Sequence, residues 1–173
     1  GSLVGYRSMG TNVLKYTRDG ASYVDNRGQT VWTESYEMKS PVAVVNGDYA
    51  AIGDQQGNAI HIYSTEGKQG EAKTTLPISK IAVSGNGVVA AVLEDSISSY
   101  TAFFQRDGSQ LDITIKTNMG GDGYPLALAF SANGKQLMYS YVQLAGGELK
   151  NCVVFYDFSG VGQNVPTRVV GRF

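Results

Sequence analysis

One cysteine in 173 residues, Cys152, rules out an intramolecular disulfide and any metal site built from several thiolates. It lies in the apolar run Cys152-Val153-Val154-Phe155, where a small buried hydrophobe is the plain reading of its role. The single histidine, His61, excludes a catalytic pair of histidines and an HExxH zinc helix. Because it alternates with Ile60 and Ile62, it is expected on the opposite strand face from them, in a structural or surface role. No serine stands in a G-x-S-x-G elbow, so nucleophilic hydrolysis has no motif behind it. No run of about 18 apolar residues occurs, so no segment reads as a membrane-spanning helix and none is expected to contact a membrane. The 14 Lys and Arg against 15 Asp and Glu form no basic cluster. A phosphate backbone therefore has no electrostatic footprint to meet, and nucleic acid is not an expected partner. Apolar residues at a 3.6-residue period are missing as well, which predicts essentially no helix.

Glycine (22 residues) and tyrosine (11) are abundant against 4 prolines, the make-up of a chain that turns often and pairs aromatic residues across strands. Three Asn-Gly dipeptides, at positions 46, 86 and 133, follow apolar runs at spacings of 40 and 47, and each predicts a tight two-residue hairpin turn. A second set of turns, Arg27-Gly28, Glu66-Gly67, Asp107-Gly108 and Ser159-Gly160, recurs at spacings of 39, 41 and 52 and closes β-rich runs. Two alternating turn types at a period near 40 predict four-stranded antiparallel blades repeated radially. The expected fold is all-β: a β-propeller of about four blades, at 3–38, 40–77, 78–117 and 124–170, in one domain over 3–173. The first strand of each blade is expected to be innermost and most apolar, facing neighbouring blades on both sides, as PVAVV, KIAV and PLALAF are. Outer strands such as EAKTTLP and LDITIKT alternate polar and apolar residues. Trp32 is read as packing one blade on the next.

The extra length of blade four falls in two glycine-rich stretches, 119–124 and 144–148, predicted to be inserted loops. Loops carry function more often than scaffold, so the candidate partner-binding residues are Gly120, Gly121, Asp122, Gly123 and Tyr124, with Gly146, Gly147 and Glu148. Gly120 to Gly123 lacks the following helix that a phosphate cradle needs. Adjacent Glu94 and Asp95 would point to opposite strand faces, so they read as a solvated turn. Asp48, Asp54, Asp107, Asp112 and Asp122 do not fall into a calcium-loop pattern. No catalytic, metal or cofactor residue is predicted, and no cofactor. Gly1-Ser2 has the look of a cloning scar, so the natural N-terminus, with any signal or anchor, is expected to have been removed.

The segments 31–67, 76–87, 123–142 and 153–171 carry a resemblance, with Gly123-Tyr124-Pro125 leading into Phe130-Ser131-Ala132-Asn133-Gly134, and Phe155-Tyr156-Asp157-Phe158 before Val161-Gly162, as its most specific pieces. The chain resembles an uncharacterised family of membrane-anchored, extracytoplasmic propeller proteins from clostridia and related Gram-positive bacteria. That resemblance implies a propeller about twice as long, carried behind one membrane helix, of which this chain is the first half. Quinoprotein-like and WD-repeat propellers are similar more loosely, without their quinone-binding tryptophan motifs or the Gly-His to Trp-Asp signature. The expected function is a non-enzymatic extracytoplasmic module that binds a protein or cell-surface glycan. Two alternatives stand beside it: a lyase or glycoside-acting enzyme whose channel site forms only in the complete ring, and a structural spacer of a surface protein. An open half-ring exposes blade faces, so a homodimer completing an eight-blade ring is expected.

Overall fold

The computed structural model describes residues 3–118, 124–130, 136–145, 147–157 and 168–172, and among them the chain is strand and turn without helix. Four antiparallel sheets of four strands follow one another, each in up-and-down order. Blade one holds β1 (Val4–Met9), β2 (Asn12–Thr17), β3 (Gly20–Val24) and β4 (Thr30–Ser35). Blade two holds β5 (Pro41–Asn46), β6 (Tyr49–Asp54), β7 (Ala59–Ser64) and β8 (Gly67–Lys73). Blade three holds β9 (Ile78–Val83), β10 (Val89–Glu94), β11 (Ser98–Phe104) and β12 (Gln110–Asn118). Blade four holds β13 (Tyr124–Phe130), β14 (Gln136–Ala145), β15 (Glu148–Asp157) and β16 (Arg168–Arg172). The first strands stand in sequence, β1 against β5, β5 against β9 and β9 against β13, so the blades fan out around them.

The turns differ from the prediction in their residues and their length. At Asn46-Gly47 the asparagine ends the ladder opposite Tyr49, and Gly47 (φ 62°) takes the first turn position, as in a type II′ hairpin. At Asn86-Gly87 the turn is longer, closed by Ser84 N–H on the Val88 carbonyl (2.8 Å), with Gly87 at φ 89°. Asp107-Gly108 repeats that form, with Gln105 N–H on the Ser109 carbonyl (2.8 Å). Glycine lacks the Cβ that penalises positive φ, so it takes the strained position and leaves asparagine in ordinary backbone.

In blades two and three the second strands are more deeply buried than the first: Ala50, Ala51 and Ile52 of β6 and Val89 to Val92 of β10 are wholly enclosed, whereas Val42 on the first strand β5 is exposed. A second strand is flanked by strands on both edges and by blades on both faces, while a first strand turns one edge to the ring axis. Each seam between blades has its own apolar cluster. Met9, Leu14, Tyr23, Ala43, Ile52 and Tyr63 fill the first, Ile60, Ile62, Ile78, Val83, Val89 and Phe104 the second, and Ala90, Phe103 and Leu137 the third. Phe103 and Phe130 meet edge to face across that third seam, 6.4 Å apart.

Candidate functional site

The predicted partner-binding residues divide between strand and turn. Gly120, Gly121, Asp122, Gly123 and Gly146 lie outside the described residues. Tyr124 opens β13 opposite Val142, Gly147 turns the chain at φ 81°, and exposed Glu148 opens β15. Residues 144–148 are not an inserted loop. Leu144 pairs with Leu149 and Ala145 with Glu148, so the added residues lengthen two strands instead. The β14–β15 hairpin has ten paired positions, against six in β10–β11, five in β6–β7 and four in β2–β3. Gly147, at φ 81°, stands in the reversal, and the added residues on both sides of it pair with one another.

This hairpin outruns its neighbours. Among the described residues, β13 pairs with β14 as far as Val142 and β16 pairs with β15 along Val154–Asp157. Residues Gln143–Ala145 therefore stand past the end of β13, by about 10 Å at strand rise. Among the described residues no strand pairs with the outer edge of Glu148–Val153. At the same end of the sheets, the β10–β11 turn of blade three is fixed by Asp95. Its Oδ1 accepts from the backbone N–H of Ile97 (2.8 Å) and Ser98 (2.7 Å), and those bonds hold the carboxyl below its usual range. The turn presents Ile97 with 72% of its surface exposed.

A second cluster lies in the seam between blades one and two. Trp32 stacks between Tyr23 (5.7 Å) and Tyr63 (5.2 Å), and its indole N–H donates to the Thr65 carbonyl of blade two at 3.1 Å. The Tyr23 hydroxyl donates to the Met9 carbonyl at 2.6 Å. His61 continues the row outward, with the Tyr36 ring edge-on at 5.4 Å, the Tyr63 hydroxyl 3.4 Å from Nδ1 and Glu71 Oε2 3.5 Å from Nε2. Burial pushes the His61 pKa down, Lys68 pushes it further, and Glu71 and Glu34 oppose them. Burial likewise raises the phenols of Tyr36 and Tyr63. The arrangement locks a blade seam and keeps its imidazole neutral. The sequence placed Trp32 between blades but not between two tyrosines; the available signal was the recurrence of Tyr23 and Tyr63 40 residues apart on third strands.

A recess of about 320 Å³ lies on blade three, lined by Asn86, Val88, Gln105, Arg106 and Leu111. Arg106 Nη1 donates to the Tyr49 hydroxyl at 2.9 Å, tying the recess to blade two. Among the described residues no three His, Cys, Asp or Glu side chains gather as a metal site.

Solved structures similar to this chain include a protein of unknown function from Bacteroides caccae (16% identity, TM-score 0.53), which covers all of this chain and 61% of that one. The Neurospora crassa Pan2 WD40 domain (9%, TM-score 0.59) matches 97% of this chain and 50% of that one. Hsv2p of Kluyveromyces lactis (13%, TM-score 0.64) matches all of this chain and 58% of that one. At such identities the likeness shows the fold, a WD40-like β-propeller, and this chain spans less than two thirds of each of these chains. No curated protein matches. One family model, described as a family of unknown function (DUF5711), matches residues 1–173.

Proposed function

The chain belongs to this DUF5711 family, and we propose that it serves as a non-enzymatic interaction module that captures a protein partner on the β14–β15 hairpin. The hairpin's ten paired positions, against four to six in the corresponding hairpins of the other blades, carry this reading. A backbone edge past its flanking strands is a template on which an extended segment of another protein adds as a strand. The neighbouring Ile97 turn adds an apolar contact at the same end. We place the module on an extracytoplasmic surface, as part of a longer membrane-anchored protein of a Gram-positive bacterium, in keeping with the resemblance of its blade sequences.

The test is a variant lacking Val142–Ala145 and Glu148–Asn151, so that Tyr141 and Cys152, already paired, flank the Gly146-Gly147 turn. Protein ligands identified by cross-linking on intact cells are purified and titrated against both chains. A defined ligand that binds the native chain and loses affinity for the shortened one supports the reading. Equal affinity for both, or turnover of oligosaccharides by the native chain, sinks it.

A further inference from the structure

The asparagine-glycine turns hold a chemistry that the fold does not use. Glycine has no Cβ, so nothing on that residue shields its amide nitrogen from the side-chain carbon of the asparagine before it. When that nitrogen bonds to the carbon, the bond from the carbon to the side-chain nitrogen breaks and ammonia leaves, taking the proton the glycine nitrogen sheds. The cyclic imide so formed takes up one water at either carbonyl. Asparagine becomes aspartate, or the isomer in which the main chain runs through the side chain. Of the three pairs, Asn133-Gly134 lies outside the described residues, and the other two are held differently. Asn46 closes the β5 ladder opposite Tyr49, its Nδ2 donates to the Val83 carbonyl of blade three at 3.2 Å, and the Gly47 carbonyl accepts from Gly10 N–H of blade one at 2.9 Å. Blades on both sides therefore fix this peptide, and turning the Asn46 side chain onto the glycine nitrogen requires a seam to open.

Asn86 is exposed, and among the described residues the hydrogen bonds of its turn run within Ser84–Val88. Ser84 Oγ accepts from the Val88 N–H at 2.9 Å, which leaves its own proton for Asn86 Oδ1, and that hydrogen bond is in place. A hydroxyl aimed at the amide oxygen stabilises the negative charge that gathers there when the carbon is attacked, as an oxyanion hole does. The Gly87 N–H donates to the Ser84 carbonyl at 3.1 Å, a single local bond that must open for the attack. We propose that Asn86 is a site of spontaneous deamidation in this chain, with Ser84 Oγ as the donor that promotes it. The product sets a carboxylate on the wall of the recess that Arg106 also lines, where it competes with the Tyr49 hydroxyl for the guanidinium. The link from the recess to blade two weakens as a result. This inference rests on the turn and not on the hairpin reading.

To test it, the native chain is aged in mildly alkaline buffer and digested, and mass spectrometry measures the acid and its isomer at Asn46 and at Asn86. Asn86 is expected to convert at least about tenfold faster than Asn46, which must first lose hydrogen bonds to two other blades. Ser84→Ala is expected to slow Asn86 by about threefold or more while Asn46 keeps its rate. Equal rates at the two asparagines overturn the proposal, as does faster conversion of Asn46. It is also overturned if Asn86 converts as fast or faster in Ser84→Ala, which would make the serine a restraint on the asparagine. If Ser84→Ala misfolds by circular dichroism, the two rates in the native chain still decide whether Asn86 is the site.

Discussion

Blade two meets its neighbours through seams of opposite chemistry. Toward blade one the contact is aromatic, a row of Tyr23, Trp32, Tyr63 and His61 whose polar atoms reach Met9, Thr65 and Glu71. Toward blade three it is mostly aliphatic, with Ile60, Ile62, Ile81, Val83, Val89 and Leu93 closing on one another. The main chain follows the same division. The aliphatic seam is laced by Gln56 N–H on the Ile78 carbonyl (2.7 Å) and Ile78 N–H on the Gly57 carbonyl (2.9 Å). The aromatic seam has Gly10 N–H on the Gly47 carbonyl (2.9 Å) and otherwise depends on side chains. A blade interface can thus be rigid because it is dry and dense, or held by stacked rings with polar ends. Only the second kind carries a group that titrates near neutrality. With one main-chain bond against two, the aromatic seam is expected to open before the aliphatic one.

The largest expected effect breaks the aliphatic side. Ile62→Ala removes a wholly buried side chain from a packed cluster, and urea unfolding followed by far-UV circular dichroism should show a loss of about 3–4 kcal/mol. A loss under about 1 kcal/mol would mean that the seam collapses around the hole and is not dense. Gly70→Ala strikes the same seam at its rim. A Cβ there would stand 2.3 Å from the backbone carbonyl carbon of Asp107, so two main chains must part, at a cost of about 2–3 kcal/mol by the same measurement. An unchanged midpoint would show that the rim is looser than its geometry.

The aromatic side should yield less. Trp32→Leu gives up two ring stacks and one hydrogen bond from a half-buried position, about 2 kcal/mol. Trp32 is the only tryptophan, so in the native chain its emission reports this seam alone. In a urea titration its red shift should precede the loss of strand signal. Coincident transitions would erase the distinction between the seams.

The fold was legible because its information is local and repeated. Glycine turns near a 40-residue period and short β-rich runs between them define hairpins, and hairpins in series define blades. The depth of β6 and β10 was not legible, since Val42 to Val45 and Ala50 to Ile52 are equally apolar, and only the packing of blades decides which strand is enclosed. The hairpin was half legible. Gly147 marked a turn, yet a tight turn between long strands and a loop between short ones share the same glycines. Their difference lies in whether Gln143 to Ala145 find partners in Leu149, Lys150 and Glu148, a cross-strand matter. His61 was legible as a strand residue between two buried isoleucines; its place at the end of a ring stack was not, because Trp32 and Tyr36 come from another part of the chain.

The smallest effect separates the seams by pH. His61 is held below its ordinary value of 6.5, first by burial and then by Lys68, with Glu71 and Glu34 opposing. Above that value the imidazole is neutral in both folded and unfolded chains and contributes nothing. As the pH falls through it, the unfolded chain takes up a proton that the folded chain refuses, so stability declines until the folded pKa is reached and then levels off. The carboxylates held below their usual range, Glu71, Asp95 and Asp107, lose their contribution only at more acid pH, so the histidine window is separate. Melting temperatures of the native chain and of His61→Gln, measured from neutral pH down to the carboxylate range, should diverge below 6.5, with the native chain falling faster. Parallel curves would mean that the protonated imidazole is accommodated, with Glu71 compensating for burial, and that the aromatic seam is as indifferent to pH as the aliphatic one.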